Sequence, residues 1–138
     1  MLRVETKGRA RALQILYAWE LQGRRRPIPV AVSGIARLTG PEPLILDRAE
    51  ALVAAVISEI DALDAELTQA VDNWRMSRIA VVERNILRIG IHELRQAEVP
   101  PKVAIDEAVQ LAHWFGGARA PAFVNGVLDG VAHSLGRL

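Results

Sequence analysis

The stretch from Glu83 to Phe115 limits the possible folds more than any other part of the chain, because its apolar residues recur at helical spacing. Ile79, Val82, Ile86 and Ile89 fall three and four residues apart, which lines one face of a helix running through Glu83–Leu94. Such a face can be buried only against other helices. Pro100-Pro101 ends this helix, since the residue before a proline is pushed out of the α region and proline offers no N–H. A second helix follows over Lys102–Phe115, with Ile105, Ala108, Val109 and Ala112 on one stripe. Asp106-Glu107 sit in its opening turns, near the positive end of its dipole, and Gly116-Gly117 stop it. A third helix runs through Phe123–Asp129, with Val124, Val127, Leu128 and Val131 as its inner stripe. Asn125-Gly126 is ordinarily a turn signal, but the helical period passes straight through it.

The first half of the chain reads the same way. A helix from about Glu5 to Leu21 gathers Leu13, Leu16, Tyr17 and Leu21 on one side and Lys7, Arg11 and Gln14 on the other, apolar inward and basic outward. Arg9 falls nearer the apolar side. Trp19 is assigned to packing, and Tyr17 either to the core rim or to a stacking platform for an unpaired base. Gly23 ends this helix, and Arg24-Arg25-Arg26-Pro27-Ile28-Pro29 is a basic connector. Val30–Leu38 makes a short, weak helix interrupted at Ser33-Gly34, and Gly40-Pro41-Glu42-Pro43 is clear punctuation. From Leu46 a seam of Ala49, Val53, Val56, Ile60, Leu63 and Leu67 marks one long central helix. Leu52 and Ile57 widen that seam beyond a coiled-coil stripe, which favours packing inside a bundle. Trp74 and Ser77 lie near the next join, Ser77 as a candidate cap. The expected fold is all-α, a compact bundle of about six to seven helices, with no alternating strand.

A length of 138 residues suggests one domain over 1–138, large enough to bury a core without staples. The absence of cysteine removes disulfides, thiolate catalysis and cysteine zinc sites, and fits a reducing compartment. No apolar run is long enough to span a bilayer and no secretory leader opens the sequence, so a soluble, cytoplasmic protein with no membrane partner is expected. The net charge of +1 hides an asymmetry: residues 1–26 carry seven basic against two acidic groups, and residues 27–138 carry ten against fourteen. A basic N-terminal end favours a polyanionic partner there, although solvated arginine clusters are common on protein surfaces.

Catalytic patterns are missing. His92-Glu93 lacks a second histidine four residues on, where Gln96 stands, and His92, His113 and His133 lie on separate helices as surface or rim residues. Asp106 and Glu107 point about 100° apart on a helix and share no substrate easily. The glycines at 116, 117, 126 and 130 follow no strand and precede no Gly-Lys-Ser, so they form no phosphate loop. No enzyme, metal site or cofactor is expected.

The strings ERNILRIGIHEL, VPPKVAIDEAVQLAHWFGG and FVNGVLD, in this order and spacing, closely resemble the NusB family of transcription antitermination factors. The resemblance covers roughly the whole chain. It implies two small helical subbundles packed as one unit, and binding of boxA-like single-stranded RNA together with NusE, a ribosomal protein. The partner complex it implies is the RNA polymerase antitermination complex acting in ribosomal RNA transcription. Carried over by position, Lys7, Arg9, Arg11, Gln14 and Tyr17 of the basic first helix, with Phe123 and Asn125 of the FVNG string, become RNA-binding candidates. Glu83 becomes a candidate for the ribosomal-protein surface. Arginine suits this work because its planar fork grips phosphate and its face stacks on bases. The chain departs from the family at Arg119-Ala120-Pro121-Ala122, where relatives commonly carry an acidic residue, a hydroxyl and further polar groups. That loses a hydroxyl cap, partly offset by Pro121 in the first turn, and Arg119 offers a replacement contact. Phe115 is expected to pack, and Phe123 is balanced between packing and stacking. The alternative to the adaptor is a homodimeric protein-interaction module with weak or non-specific RNA binding.

Overall fold

The computed structural model describes residues 2–40, 42–71 and 76–138. Trp74 and Pro41 lie outside the described residues. Seven helices are present among those described: α1 Val4–Leu21, α2 Ile28–Thr39, α3 Pro43–Ser58, α4 Ile60–Ala70, α5 Val81–Gln96, α6 Pro101–Phe115 and α7 Ala120–Ser134. No described residue is in a strand. The chain divides into two units, Met1–Ile57 and Ser58–Leu138.

In the first unit α1 packs on α2 and approaches α3 through Gly8, where an added Cβ would stand 3.2 Å from Arg48 Cβ. Glu5 and Arg48 close that approach with an exposed ion pair at 3.4 Å. The inner side of α1 is formed by Ala12, Leu13, Ile15, Leu16 and Trp19. Leu21, expected inward, is exposed, because at roughly 100° per residue it falls between Gln14 and Tyr17 on the helix wheel. α2 is one unbroken helix rather than an interrupted one: a side chain at Gly34 would meet nothing, and its glycine costs only about 1 kcal/mol of helix propensity.

The long helix expected from Leu46 to Leu67 is two. Glu59 leaves the helical region at φ −111°, ψ 13°, and its Oε2 lies 3.1 Å from His92 Nδ1. The seam itself is buried at Ala49, Val53, Val56, Leu63 and Leu67, so its period was sound while its continuity was not.

In the second unit α5 touches α4, α6 and α7. It is therefore buried on every side from Asn85 to Leu94, not on the one face that periodicity suggested. Gly90 allows the closest approach, since a Cβ there would stand 2.6 Å from Leu128 Cδ1. Arg88 and Asn85 of α5 are satisfied internally, whereas Arg84 donates Nη2 to the Ile79 carbonyl at 3.0 Å and keeps a buried Nε without a partner among the described residues. Arg88 Nε and Nη2 donate to the two carboxylate oxygens of Asp64 at 2.7 and 2.9 Å, and Nη1 donates to Asn85 Oδ1 at 3.0 Å. His92, expected at the surface or rim, is buried against Glu59.

α5 ends at Ala97, which takes the left-handed conformation (φ 63°, ψ 17°), and not at the prolines. Pro100 and Pro101 instead start α6, where a missing N–H is harmless. Arg137 closes the turn between them by donating to the carbonyls of Leu94 (2.6 Å) and Val99 (3.2 Å). Because a left-handed alanine is strained by about 1–2 kcal/mol, Ala97→Gly is expected to raise stability by about 0.5–1 kcal/mol after the added freedom of the unfolded glycine is counted. Urea unfolding of the two chains side by side checks this.

The inner stripe of α6 is Ala104, Ile105, Ala108, Leu111 and Ala112, with Val109 only half-buried. α7 buries Val124, Val127, Leu128 and Val131 as its spacing predicts, and runs unbroken through Asn125-Gly126. The N-cap of α5 is Ala80, so Ser77 does not cap it.

Candidate functional site

Five candidate residues stand on α1, in the first unit. Lys7, Arg11 and Gln14 lie half-buried along one line, at spacings of four and three. Arg11 Nη1 donates to Gln14 Oε1 over 3.1 Å, which aligns the guanidinium with the helix surface. Tyr17 is 38% exposed, so its ring belongs to the surface rather than the core. Arg9 is only 8% exposed and already engaged with neighbouring groups.

In the adjoining connector Arg24 is occupied. Its Nε and Nη2 donate to the Glu20 carboxylate at 3.3 and 3.1 Å, and its guanidinium carbon lies 4.9 Å from the Trp19 ring centre. Arg25 and Arg26 are exposed.

The other three candidates are in the second unit. Glu83, in the first turn of α5, and Phe123, in the first turns of α7, line one cleft of about 330 Å³ together with Arg78, Ile79, Arg119 and Ala120. The tight loop before α7 sets this geometry: an added Cβ on Gly116 would stand 2.6 Å from Ala120 Cβ, so glycine is needed for the chain to turn there. Pro121 then preorganises the first turn of α7. Asn125 is exposed on α7 and is not among the residues lining the cleft. Phe115, expected to pack, is exposed and meets Trp114 edge-to-face at 6.5 Å. It sits on the last turn of α6, where the chain leaves its neighbours. Arg78 was missed in the sequence, because nothing local links it to Arg119.

Among the described residues no group of three or more His, Asp or Glu side chains is placed to hold a metal ion. None of the helices searched is long and apolar enough to cross a membrane.

The sequence profile of the NusB family matches residues 6–133. The chain belongs to the NusB family. A transcription antitermination protein NusB from Sorangium cellulosum is 43% identical over 132 residues, covering 95% of this chain and 93% of that protein. The fold matches T. maritima NusB with a TM-score of 0.83 at 25% identity, over 96% of this chain and 93% of the other. A chain from a crystal structure of antitermination factors NusB and NusE in complex with dsRNA matches with a TM-score of 0.84 at 25% identity, over 97% and 99% of the two chains. NusB-family proteins are non-enzymatic RNA-binding regulators, so this chain is a binding factor and not an enzyme.

Proposed function

We propose that this chain is a transcription antitermination adaptor that binds boxA-like single-stranded RNA together with the ribosomal protein NusE, within the RNA polymerase antitermination complex that transcribes ribosomal RNA. The observation that carries this reading is the line of Lys7, Arg11 and Gln14 on α1 with the Tyr17 ring exposed beside it, in a chain whose relatives are antitermination proteins. The two cations suit phosphates, the amide suits a base edge, and the ring suits an unstacked base. The relative solved with NusE and dsRNA supports the same classes of partner. Phe123 and Asn125 join the RNA surface, and Glu83 the NusE surface, by their positions in the family strings.

The test is binding of a labelled boxA-like RNA against a scrambled strand and a duplex of equal length, with and without NusE, at two salt concentrations. Preference for the boxA-like strand, strengthened by NusE, is the expected result. Equal, salt-sensitive binding to all three leaves only a basic surface, and a dimer persisting in light scattering moves the interaction-module alternative ahead. Lys7→Ala and Arg11→Ala are each expected to weaken binding about tenfold and to lower the salt slope by roughly 0.7 per lost phosphate contact. Arg9→Ala, at a buried position, is expected instead to lower folding stability by about 1–3 kcal/mol. Unchanged salt slopes in both surface variants remove α1 from the interface.

A further inference from the structure

We infer that the exposed side of α2, along Val30, Gly34 and Leu38, is a docking face for an acidic amphipathic helix of a partner protein, which crosses α2 at Gly34 and sets its carboxylates against Arg25, Arg26 and Arg37. The inference goes beyond the RNA-binding reading and does not depend on it.

α2 is an apolar helix with little to cover it. Of its 12 residues only Ala31 is buried, and the helix packs on α1. Val30, Gly34 and Leu38 stand four residues apart and share one side of the helix, and Arg37 joins them at three from Gly34. Val30 is 39% exposed and Leu38 84%. Most of a leucine side chain therefore stands in water, where covering it is favourable.

Gly34 gives this side its shape. Its backbone is ordinary right-handed helix, and an added Cβ would meet nothing, so neither conformation nor an internal neighbour requires glycine. Glycine weakens a helix interior relative to alanine. What the position gains is a notch between two aliphatic side chains, into which an outside helix can bring a side chain close to the backbone. Gly126 and Gly130 of α7 have the same open space, but Ala122 and Ser134 stand four residues beyond them, so no such notch forms there.

The charge selects the occupant. Residues 21–41 hold four arginines and no acidic residue. Arg24 is engaged by Glu20, whereas the side chains of Arg25, Arg26 and Arg37 have no hydrogen-bond or ion-pair partner among the described residues. A second α2 would bring like charges together, which opposes self-pairing of this face. RNA would answer the arginines, but no aromatic residue lies between Trp19 and Trp74 to stack a base, and a phosphate gains nothing from Leu38 or the notch. An amphipathic helix with carboxylates flanking its apolar stripe answers all three features.

The experiment is an amide NMR titration of the isotopically labelled full chain with a synthetic helical peptide carrying leucine on one face and glutamate on the other. A scrambled peptide of the same composition and a peptide with lysine in place of glutamate are the controls. The glutamate peptide is expected to shift the amides of Val30, Gly34, Arg37 and Leu38, and to bind about tenfold more tightly than either control. Gly34→Leu is expected to weaken that binding about tenfold by filling the notch, with a melting temperature no lower than that of the unsubstituted chain. Leu38→Ser and Arg37→Glu should each weaken it by a similar factor, the second with a loss of salt dependence. Unmoved α2 amides, equal binding of either control peptide, or undiminished binding by Gly34→Leu each overturn the proposal. Poly(U) moving the same amides where the peptide does not reassigns the face to nucleic acid. Shifts that grow with protein concentration alone reassign it to a second copy, and either reassignment also overturns the proposal.

Discussion

Asp64→Ala is expected to destabilise the second unit by about 3 kcal/mol, lowering its melting temperature by roughly 10 °C. Arg88 is 1% exposed and fully charged, and Asp64 receives two of its donors in a planar fork at 2.7 and 2.9 Å. Removing the carboxylate leaves that guanidinium buried with Asn85 Oδ1 at 3.0 Å as a neutral acceptor. Asn85 is itself fixed by donating Nδ2 to the Val81 carbonyl at 3.0 Å, so it has little freedom to turn and compensate. The loss should fall near the lower end of the range for broken buried pairs, because the Asp64 side chain is partly open to water. Thermal unfolding by circular dichroism reads the shift. The double variant Arg88→Met with Asp64→Leu is the informative comparison, since removing both charges also removes their desolvation. If the double variant is no more stable than Asp64→Ala, charge isolation is not the cause.

Gly90→Val should cost about 3 kcal/mol, against the ordinary expectation that replacing a mid-helix glycine strengthens a helix. A Cβ at this position meets Leu128 Cδ1 at 2.6 Å, Cδ2 at 3.0 Å and Cγ at 3.4 Å, and valine adds two further methyls to the same space. Leu128 is a flexible side chain, but it is fully buried, so the volume into which it would retreat is occupied. Denaturant unfolding gives the magnitude. A Leu128→Ala second substitution should recover part of the loss through the shared space, and strictly additive losses would show that the two sites do not collide.

The contrast between these two residues and the helix order explains what a reader of the sequence can and cannot see. Val124, Val127, Leu128 and Val131 announce α7 because helical amphipathicity is local, and the same period carries the chain through Asn125-Gly126. Local periodicity is silent about Arg88 and Asp64, which lie 24 residues apart, and about His92 and Glu59, which lie 33 apart. Polar residues interrupting an apolar pattern look like a solvated face until their partners are placed. The break at Glu59 was hidden for a related reason: the apolar seam keeps its phase across it.

The candidate site divides in the same way. The basic line on α1 was legible because Lys7, Arg11 and Gln14 share one helix, although the burial of Arg9 needed only its angle and was half anticipated. The cleft was not legible, since it joins the turn before α5 to the loop before α7. Family strings named Glu83 and Phe123 separately, for different partners, and no spacing in the chain links either to Arg78.

Arg137 has a consequence for the order in which the chain is made. Its guanidinium fastens the carbonyls of Leu94 and Val99, so the corner between α5 and α6 is pinned by a residue that leaves the ribosome long after both helices have been translated. During synthesis that corner must wait unfastened while α6 and α7 emerge, whereas the contacts of the first unit lie wholly within residues already exposed. Completion of the second unit is therefore held back until Arg137 has been translated.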